Sequence, residues 1–373
     1  MSQQRAYSKM HLLSNTFKAV DLMAQLRLTA LGLTLGLSPC VLWTNAAAQS
    51  APIFDFYGSL RTQVESVNPD RENRLDRYTS LRDAYSRIGI KSEYALNSEL
   101  ALTGQLEIPI DSGNLRIRDP YDQGDFTRPH GQRLRIAQLG LRSNFGSFVY
   151  GQQWMPYYNA IAAPVDMFSS YYTGFATYTV FRVADTVSYS SPEFNGLALA
   201  AAYAGGSGNR RSTSRIDDRR WQIAASYAFG GTRIAAGVDD RGDAGYARNR
   251  LYGFSAIHKT EKAYLAIKYE VFQTGNHQEG NFSTNGNRAI NIFGSYVLQK
   301  NTIKLMLAKV KNYGNTIIHF GIDHVLKDNL KVFAEYYRES ETAALTSRQG
   351  GLNDFNASIS GGHAIALGVR YDF

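Results

Sequence analysis

The last ten residues of the chain, Ala364–Phe373, alternate between apolar side chains and small or polar ones. Successive side chains of a β-strand point to opposite faces, so a strand built from this segment has one wholly apolar face. A final strand of a soluble sandwich alternates in the same way, so the rest of the chain must show whether this strand closes a longer series. The apolar face consists of Ile365, Leu367, Val369, Tyr371 and Phe373.

The same two-residue rhythm recurs along the chain and predicts sixteen strands. Short turns, such as Phe145-Gly146 and Gly230-Gly231, alternate with longer polar connections, such as 110–132 and 340–361. A membrane-spanning barrel keeps short turns on the periplasmic side and long loops outside, and its strand number is even. We therefore predict an all-β fold, a 16-stranded antiparallel transmembrane β-barrel with both termini on the periplasmic side. The polar stretch 68–83 is interpreted as a connection. The predicted strands are 54–61, 86–91, 100–108, 133–144, 147–153, 183–191, 197–205, 219–229, 231–239, 249–259, 262–274, 288–299, 301–310, 315–325, 329–339 and 362–373.

Composition agrees with a barrel rather than with a bundle of spanning helices. Mean hydropathy is −0.31, and beyond the N-terminal region charges interrupt every stretch of about 20 residues, the length that a spanning helix needs. The formal net charge is +8, of which residues 1–48, with four basic residues and one acid, hold +3 and the remainder +5. No basic helix accompanies this charge, so we expect no nucleic-acid partner. The single cysteine, Cys40, lies near the N-terminus, so we expect no thiol chemistry in the barrel.

The N-terminal region has the pattern of a secretory signal. The apolar run Leu28–Trp43 follows Arg27 and precedes three alanines. A basic flank, an apolar centre and small residues at a cleavage site direct a chain across the inner membrane. We therefore predict a cleaved signal peptide over 1–48 and a barrel over 49–373. Met23 is an alternative start that gives a leader of ordinary length.

Several short motifs follow one another along the predicted barrel. They are Phe54-Asp55-Phe56-Tyr57-Gly58, Ser86-Arg87-Ile88-Gly89-Ile90-Lys91, Phe145-Gly146-Ser147-Phe148-Val149-Tyr150-Gly151, Arg182 to Tyr189, and Tyr371-Asp372-Phe373. Their order and spacing together resemble the trimeric general porins of Gram-negative bacteria. The resemblance implies a homotrimer in the outer membrane, in contact with its lipid, that passes small hydrophilic solutes and ions by passive diffusion. It also implies that the barrel-assembly machinery recognises the C-terminal Phe373.

In that family the segment after the fifth strand folds into the barrel and narrows the pore, and here the segment is Trp154–Phe181. Acids on that loop face a ladder of arginines on the opposite wall, and opposed charges of this kind filter ions. The residues that match are Arg87, Arg135 and Arg182 by motif position, Arg61 by strand parity, and the acids Asp166 inside the loop and Asp185 just beyond it.

Two interpretations of these arginines stay open: a ladder in the narrow zone, or charges at strand ends on a water-filled wall. The place of Arg135 is open as well, because the apolar Leu139 shares its strand parity. The loop lacks the Pro-Glu-Phe-Gly-Gly run of the family, and Asp166 is the one acid within it. Because several arginines outnumber this acid, we expect a positive narrow zone that favours anions.

The loop is also rich in aromatic residues, which allow two functions. Exposed rings would stack on sugars or aromatic solutes, as in a substrate-selective channel. Buried rings would instead pack the loop against the wall, and we favour this interpretation because a loop inside a barrel must be held in place. The rings considered are Tyr157, Tyr158, Phe168, Tyr171 and Tyr172.

The sequence carries no hydrolase motif. Gly-x-Ser-x-Gly and His-Glu-x-x-His are both absent. His319 and His324 are five residues apart, so on one strand they face opposite sides and cannot act together. We therefore expect no enzymatic activity, no catalytic residue, no cofactor and no metal.

Overall fold

The computed structural model describes residues 52–72, 75–117, 134–205, 219–242, 249–341, 344–346 and 361–373. The predicted signal peptide, 1–48, and most of the predicted loop 110–132 lie outside these ranges. No helix within them is both long enough and apolar enough to cross a membrane.

The described part of the chain contains seventeen strand segments. They are β1 Ile53–Pro69, β2 Tyr78–Asp83, β3 Ser86–Ala95, β4 Leu100–Ile110, β5 Ile136–Ser143, β6 Gly146–Trp154, β7 Arg182–Ser190, β8 Leu197–Ala204, β9 Arg220–Phe229, β10 Thr232–Asp240, β11 Asn249–Lys259, β12 Ala263–Thr274, β13 Arg288–Leu298, β14 Asn301–Val310, β15 Asn315–Lys327, β16 Leu330–Glu339 and β17 Gly362–Asp372.

These segments form one closed antiparallel barrel. Neighbours in sequence pair with each other, and β1 pairs with β17 from Ser59 opposite Asp372 to Pro69 opposite Gly362, which closes the sheet. The two segments β2 and β3 pair with successive halves of β1, and between them Tyr85 has φ of 68°. They are therefore two halves of one wall strand, so the wall has sixteen positions and the predicted even count is confirmed.

The interpretation of 68–83 as a connection is wrong at both ends. Strand β1 continues to Pro69 and β2 begins at Tyr78, and β2 pairs with β1 through Tyr78 opposite Val67. The stretch looks like a loop because it is polar, but the inner face of this barrel is polar too. Arg82 of β2, for example, is buried inside and ion-paired with Glu65 of β1.

The two faces of the wall have opposite chemistry, as β14 shows. Its outward residues Ile303, Leu305 and Leu307 are exposed and apolar, whereas the inward Lys304 is buried. An exposed apolar band of this kind, continued on every strand, is what a barrel presents to lipid. The terminal strand β17 follows the same rule, and its exposed outward residues are Ile365, Leu367, Val369 and Tyr371.

The chain end is built into the barrel next to its first strand. Gly58 N donates a hydrogen bond to Phe373 O at 2.8 Å, and Phe373 N donates to Gly58 O at 3.1 Å. A Cβ on Gly58 would lie 2.3 Å from the Phe373 ring. The motif that begins the barrel thus needs its glycine because the final aromatic side chain lies across it.

Candidate functional site

The connection between β6 and β7, residues 155–181, lies against the inner face of the opposite wall. It contains a π-helical turn, Tyr158–Ala162, followed by a 3₁₀ turn, Ala163–Val165. Ser169 N donates to Glu335 Oε1 at 2.7 Å, so β16 holds this part of the loop through its backbone.

The following part of the loop is fixed by β12. Lys268 Nζ donates to the carbonyl oxygen of Ala176 at 2.8 Å. Glu270 accepts from Thr177 Oγ1 at 2.8 Å and from Tyr178 N at 3.2 Å. Lys268 and Glu270 also form an ion pair with each other, and both side chains are fully buried. The loop therefore covers a pair of charged residues that bond both to each other and to the loop.

A cavity of roughly 320 Å³ lies between this loop and the wall. Among the described residues its lining includes ten Lys and Arg side chains but five Asp and Glu, so positive charge predominates. The basic residues are Arg61, Arg87, Arg135, Arg182, Lys259, Lys262, Lys304, Lys327, Lys331 and Arg370, and the acidic ones are Asp166, Glu261, Asp323, Asp328 and Asp372.

The structure brings the four arginines singled out in the sequence to this one cavity. Arg61 lies on β1, Arg87 on β3 and Arg182 on β7, and Arg135 directly precedes β5. Arg135 is buried in the wall although Leu139 is exposed on the outside. Strand parity did not anticipate this, because Arg135 and the neighbouring Ile136 are both buried and the alternation is broken there.

Two of these arginines share a carboxylate that lies behind them. Arg135 Nε is 2.8 Å from Glu107 Oε1, and Arg87 Nε is 3.5 Å from Glu107 Oε2. Glu107 is on β4 and is 4 % exposed. Tyr57 Oη donates to Glu107 Oε2 at 3.0 Å, which fixes the carboxylate from a third side.

The other two arginines each contact a neutral group. The guanidinium carbon of Arg182 lies 4.8 Å from the centre of the Trp154 ring, within the range of a cation–π contact. Arg61 Nε donates to Ser59 Oγ at 2.7 Å. Because Trp154 and Ser59 carry no charge, these two contacts position the arginine side chains without themselves neutralising them.

The two candidate acids have separate locations. Asp166 lines the cavity, and its carboxylate accepts from Tyr158 Oη at 2.6 Å and from Thr173 Oγ1. Asp185 is exposed on β7, has φ of 50°, and is not part of the cavity lining. The structure therefore places Asp166, but not Asp185, beside the arginines. Within the described ranges no group of three or more His, Cys, Asp or Glu residues is arranged to hold a metal ion.

The aromatic rings of the loop divide into two sets. Tyr158 and Phe168 line the cavity. Tyr157, Tyr171 and Tyr172 are at most 1 % exposed and lie between loop and wall. Most of the considered rings therefore pack the loop, as the favoured interpretation requires.

The packing of the buried rings is specific. Tyr172 stacks on Tyr337 of β16 with ring centres 4.9 Å apart. Burial raises the pKa of Tyr172, so its hydroxyl stays protonated, and it donates to Glu65 Oε2 at 2.8 Å. Tyr157 lies over Gly253 of β11, where a Cβ would come within 2.1 Å of the Tyr157 hydroxyl oxygen.

Several charged residues in the cavity lining or directly behind it were missed by the sequence prediction. Two of them are Lys331 on β16 and Arg370 on β17. Arg370 lies directly opposite Lys331 on one side and directly opposite the predicted Arg61 of β1 on the other. Each lies on the polar face of an alternating strand, so the parity argument used for Arg61 would have found the other two. The same argument applies to Glu107, between Leu106 and Ile108 on β4.

Comparison with known proteins agrees with this geometry. The family model described as Gram-negative porin matches residues 40–344. The outer membrane protein YedS of Escherichia coli is 25 % identical over 60 % of this chain, and the match spans 64 % of YedS, slightly less than two thirds. Outer membrane protein Omp-EA of Erwinia amylovora is 25 % identical over 79 % of this chain and 76 % of its own length.

A solved structure shares the fold. The anion-selective porin from Comamonas acidovorans superposes with a TM-score of 0.67 at 16 % identity, covering 87 % of this chain and all of that one. The closed sixteen-position barrel, its apolar outer band and its charged interior are what a diffusion pore through lipid requires. The chain therefore belongs to the Gram-negative porin family, whose barrels form diffusion pores in the outer membrane.

Proposed function

We propose that this porin passes small hydrophilic solutes and ions by passive diffusion with a preference for anions. The excess of basic over acidic side chains around the cavity carries this proposal. A pore lined by one sign of charge concentrates ions of the opposite sign and repels its own. Small anions are thus attracted to the narrow zone, while larger solutes are excluded by size.

The narrow zone in this proposal lies between the loop 155–181 and the wall that bears Arg61, Arg87, Arg135 and Arg182. What supports it is that these arginines and Asp166 line one cavity. Asp185 lies outside this cavity, so the proposed narrow zone uses Asp166 as its loop acid.

General diffusion is favoured over substrate selection by the position of the rings. Only Tyr158 and Phe168 of the considered aromatics line the cavity, and both are nearly buried. Little surface of these five loop rings is therefore available to stack on a passing sugar. A saturable block of the current by one solute would instead indicate a substrate-selective channel.

The proposal includes the assembly of the protein. Residues 1–48 are removed as a signal peptide, and Phe373 directs the barrel to the assembly machinery. Three copies associate through the outer faces of the first and last strands, where Leu60, Val64 and Leu367 are exposed and apolar. The rest of the apolar band contacts lipid, and no enzymatic activity, cofactor or metal is involved.

The test is ion selectivity in a planar bilayer under a potassium chloride gradient. We expect large ohmic steps in threes and a reversal potential that shows chloride preference. Arg87→Ala and Arg182→Ala should each lower the chloride-to-potassium permeability ratio about threefold, because a unit charge about 13 Å away in water shifts the free energies of chloride and potassium by about 0.3 kcal/mol each in opposite directions. Lys309→Ala is the control, because Lys309 is exposed on the outer face of β14. Potassium preference in the parent protein would contradict the proposal.

A further inference from the structure

We infer that an apolar strip on the wall of the lumen makes this pore favour small carboxylates that carry an apolar body, such as benzoate, over carboxylates without one, such as acetate. The strip is defined as Tyr264 of β12, Val297 of β13 and Val325 of β15. The inference rests on the proposed function, because the proposed charge preference brings the carboxylate to the narrow zone, while the uncharged strip acts on the rest of the solute. Other small solutes still pass, so the pore remains one for general diffusion.

The two valines of the strip are in contact with the cavity. Val297 and Val325 line it and are partly exposed, whereas their chain neighbours Leu298 and Leu326 are exposed on the outside of the barrel. The interior of a water-filled barrel is usually polar. Contact between an apolar side chain and water is unfavourable, so a solute that covers the valines with an apolar surface is favoured there.

The register of the wall brings the two valines close to each other. Val297 is directly opposite Thr302 of β14, and Thr302 is directly opposite Asp323 of β15. Val325 follows Asp323 by two residues on the same face, so Thr302 lies between the valines. Side chains directly opposite each other have Cβ atoms about 5 Å apart, and diagonal neighbours are about 7–8 Å apart. The valines and the methyl group of Thr302 thus form one apolar surface, large enough for a single ring.

The strip continues toward the loop through an aromatic ring that is held in place. Tyr264 is partly exposed in the cavity and lies directly opposite Ser295, the inner-face neighbour of Val297 on β13. Its hydroxyl donates to the carbonyl oxygen of Pro164 at 2.8 Å. Its ring meets the Phe293 ring edge to face, with centres 5.8 Å apart. Because these contacts fix the ring, little conformational entropy is lost when a solute covers it.

The strip faces the arginines across the lumen. In a closed wall of sixteen positions, strands that are eight positions apart lie opposite each other. Strand β12 is eight positions from β4, which lies between β3 with Arg87 and β5, directly preceded by Arg135. A carboxylate that is drawn to these arginines therefore turns the other end of the solute toward the strip.

The acid that lies beside the strip is balanced by its partners. Asp323 Oδ1 is 2.9 Å from Lys304 Nζ, and the carboxylate also forms an ion pair with Lys331. An anionic solute at the strip therefore meets a carboxylate whose charge two lysines offset. The preference at the strip is then set by the apolar surface of the solute.

The test measures reversal potentials in a planar bilayer at neutral pH, with potassium benzoate on one side and potassium acetate on the other. Both salts are kept dilute, so that the strip is far from saturated and a favourable contact raises the flux. Val297→Ser and Val325→Ser should each lower the benzoate-to-acetate permeability ratio about twofold, the effect of about 16 Å² of apolar contact at about 25 cal/mol per Å². The double variant should lower the ratio about fourfold.

Val149→Ser is the matched control. Val149 is a partly exposed valine on the inner face of β6 and is not part of the cavity lining, so its replacement should leave the ratio unchanged. The chloride-to-potassium ratio should stay the same in every variant, because no charge changes. A role of the valines in folding alone would change the number of open pores but not the ratio between two anions. If the serine variants do not fold, Val297→Thr and Val325→Thr keep the shape of the side chain and should lower the ratio in the same direction.

The outcomes separate this inference from the proposed function. If the double variant keeps the benzoate-to-acetate ratio of the parent protein, or if Val149→Ser lowers it as much, the strip does not act on solutes and the inference is wrong, while chloride preference in the parent still stands. If the parent prefers potassium to chloride, the proposed function fails. The same recordings then still show whether the valines change the ratio between the two carboxylates.

Discussion

Two groups of charged side chains lie on the inner face of this barrel, and they differ in whether the loop covers them. The arginine wall, defined as Arg61, Arg87, Arg135 and Arg182, lines the cavity. The loop anchor, defined as Glu65, Lys268, Glu270 and Glu335, lies under residues 155–181 and bonds to them. The members of both groups are nearly buried, except that Arg87 is partly exposed. The arginine wall lines the cavity, where we propose that it acts on solutes, whereas the loop anchor is covered and holds the loop.

The difference shows that a charge inside a barrel acquires its role from what covers it. The inner face of the wall carries charged residues beside apolar ones such as Phe272 and Phe293, because only the outer face must be apolar to meet lipid. Where no loop covers them, unbalanced charges create a field in the pore. Where the loop covers them, the same residue types supply acceptors and donors for its backbone, and each must be satisfied because burial is costly otherwise.

Glu335→Gln is the strongest test of the difference between the loop anchor and the arginine wall. Glu335 accepts hydrogen bonds from Ser169 N and Ser170 N and contacts His319 Nε2 and Lys304 Nζ. Loss of one partner from a buried charged cluster costs about 3–5 kcal/mol. We expect a lower unfolding temperature in detergent and a noisy single-channel current, because the loop moves when this acceptor is weakened.

The matched control is Glu93→Gln. Glu93 pairs with Arg142, but the two side chains are 31 % and 41 % exposed, so the change should cost at most about 1 kcal/mol. Equal unfolding temperatures for the two variants, with a quiet current in Glu335→Gln, would show that the loop is held elsewhere.

The fit of the loop to the wall is tested next by Gly253→Ala. The new Cβ would lie 2.1 Å from the Tyr157 hydroxyl oxygen, so the loop has to shift. Overpacking of this kind costs about 1–3 kcal/mol, and the displaced loop should change single-channel conductance. Gly294→Ala on β13 serves as control, because the nearest atom to its Cβ would be 3.4 Å away. Identical conductance in both variants would contradict the contact between loop and wall.

The barrel could be predicted from the sequence because lipid imposes a strict rule on alternate residues. Outward residues such as Leu305 and Leu367 must be apolar, so the strands can be recognised from their alternation. The family motifs identified Arg87 and Arg182, which line the cavity. Other features depend on the path of the chain between strands. Parity indicates that Lys268 points inward, but not that Ala176 covers it, and it could not show that Asp185 lies apart from the cavity. Strand β2 was missed because its segment is polar, and its Arg82 lies buried inside the barrel.

The smallest expected effect concerns one hydroxyl of the loop anchor. Tyr172→Phe removes the hydrogen bond to Glu65 Oε2 but keeps the ring that stacks on Tyr337. Glu65 retains Arg82 and Tyr78 as partners, so we expect a loss of about 1–2 kcal/mol in unfolding free energy. Ion selectivity should be unchanged, because no charge changes and the site is covered by the loop. Tyr189→Phe, whose hydroxyl donates to Phe145 O at an exposed turn, is the control and should cost less. A shift of the reversal potential in Tyr172→Phe would mean that the loop anchor and the arginine wall are not separate, because a change that only loosens the loop would then alter the field that the arginines create.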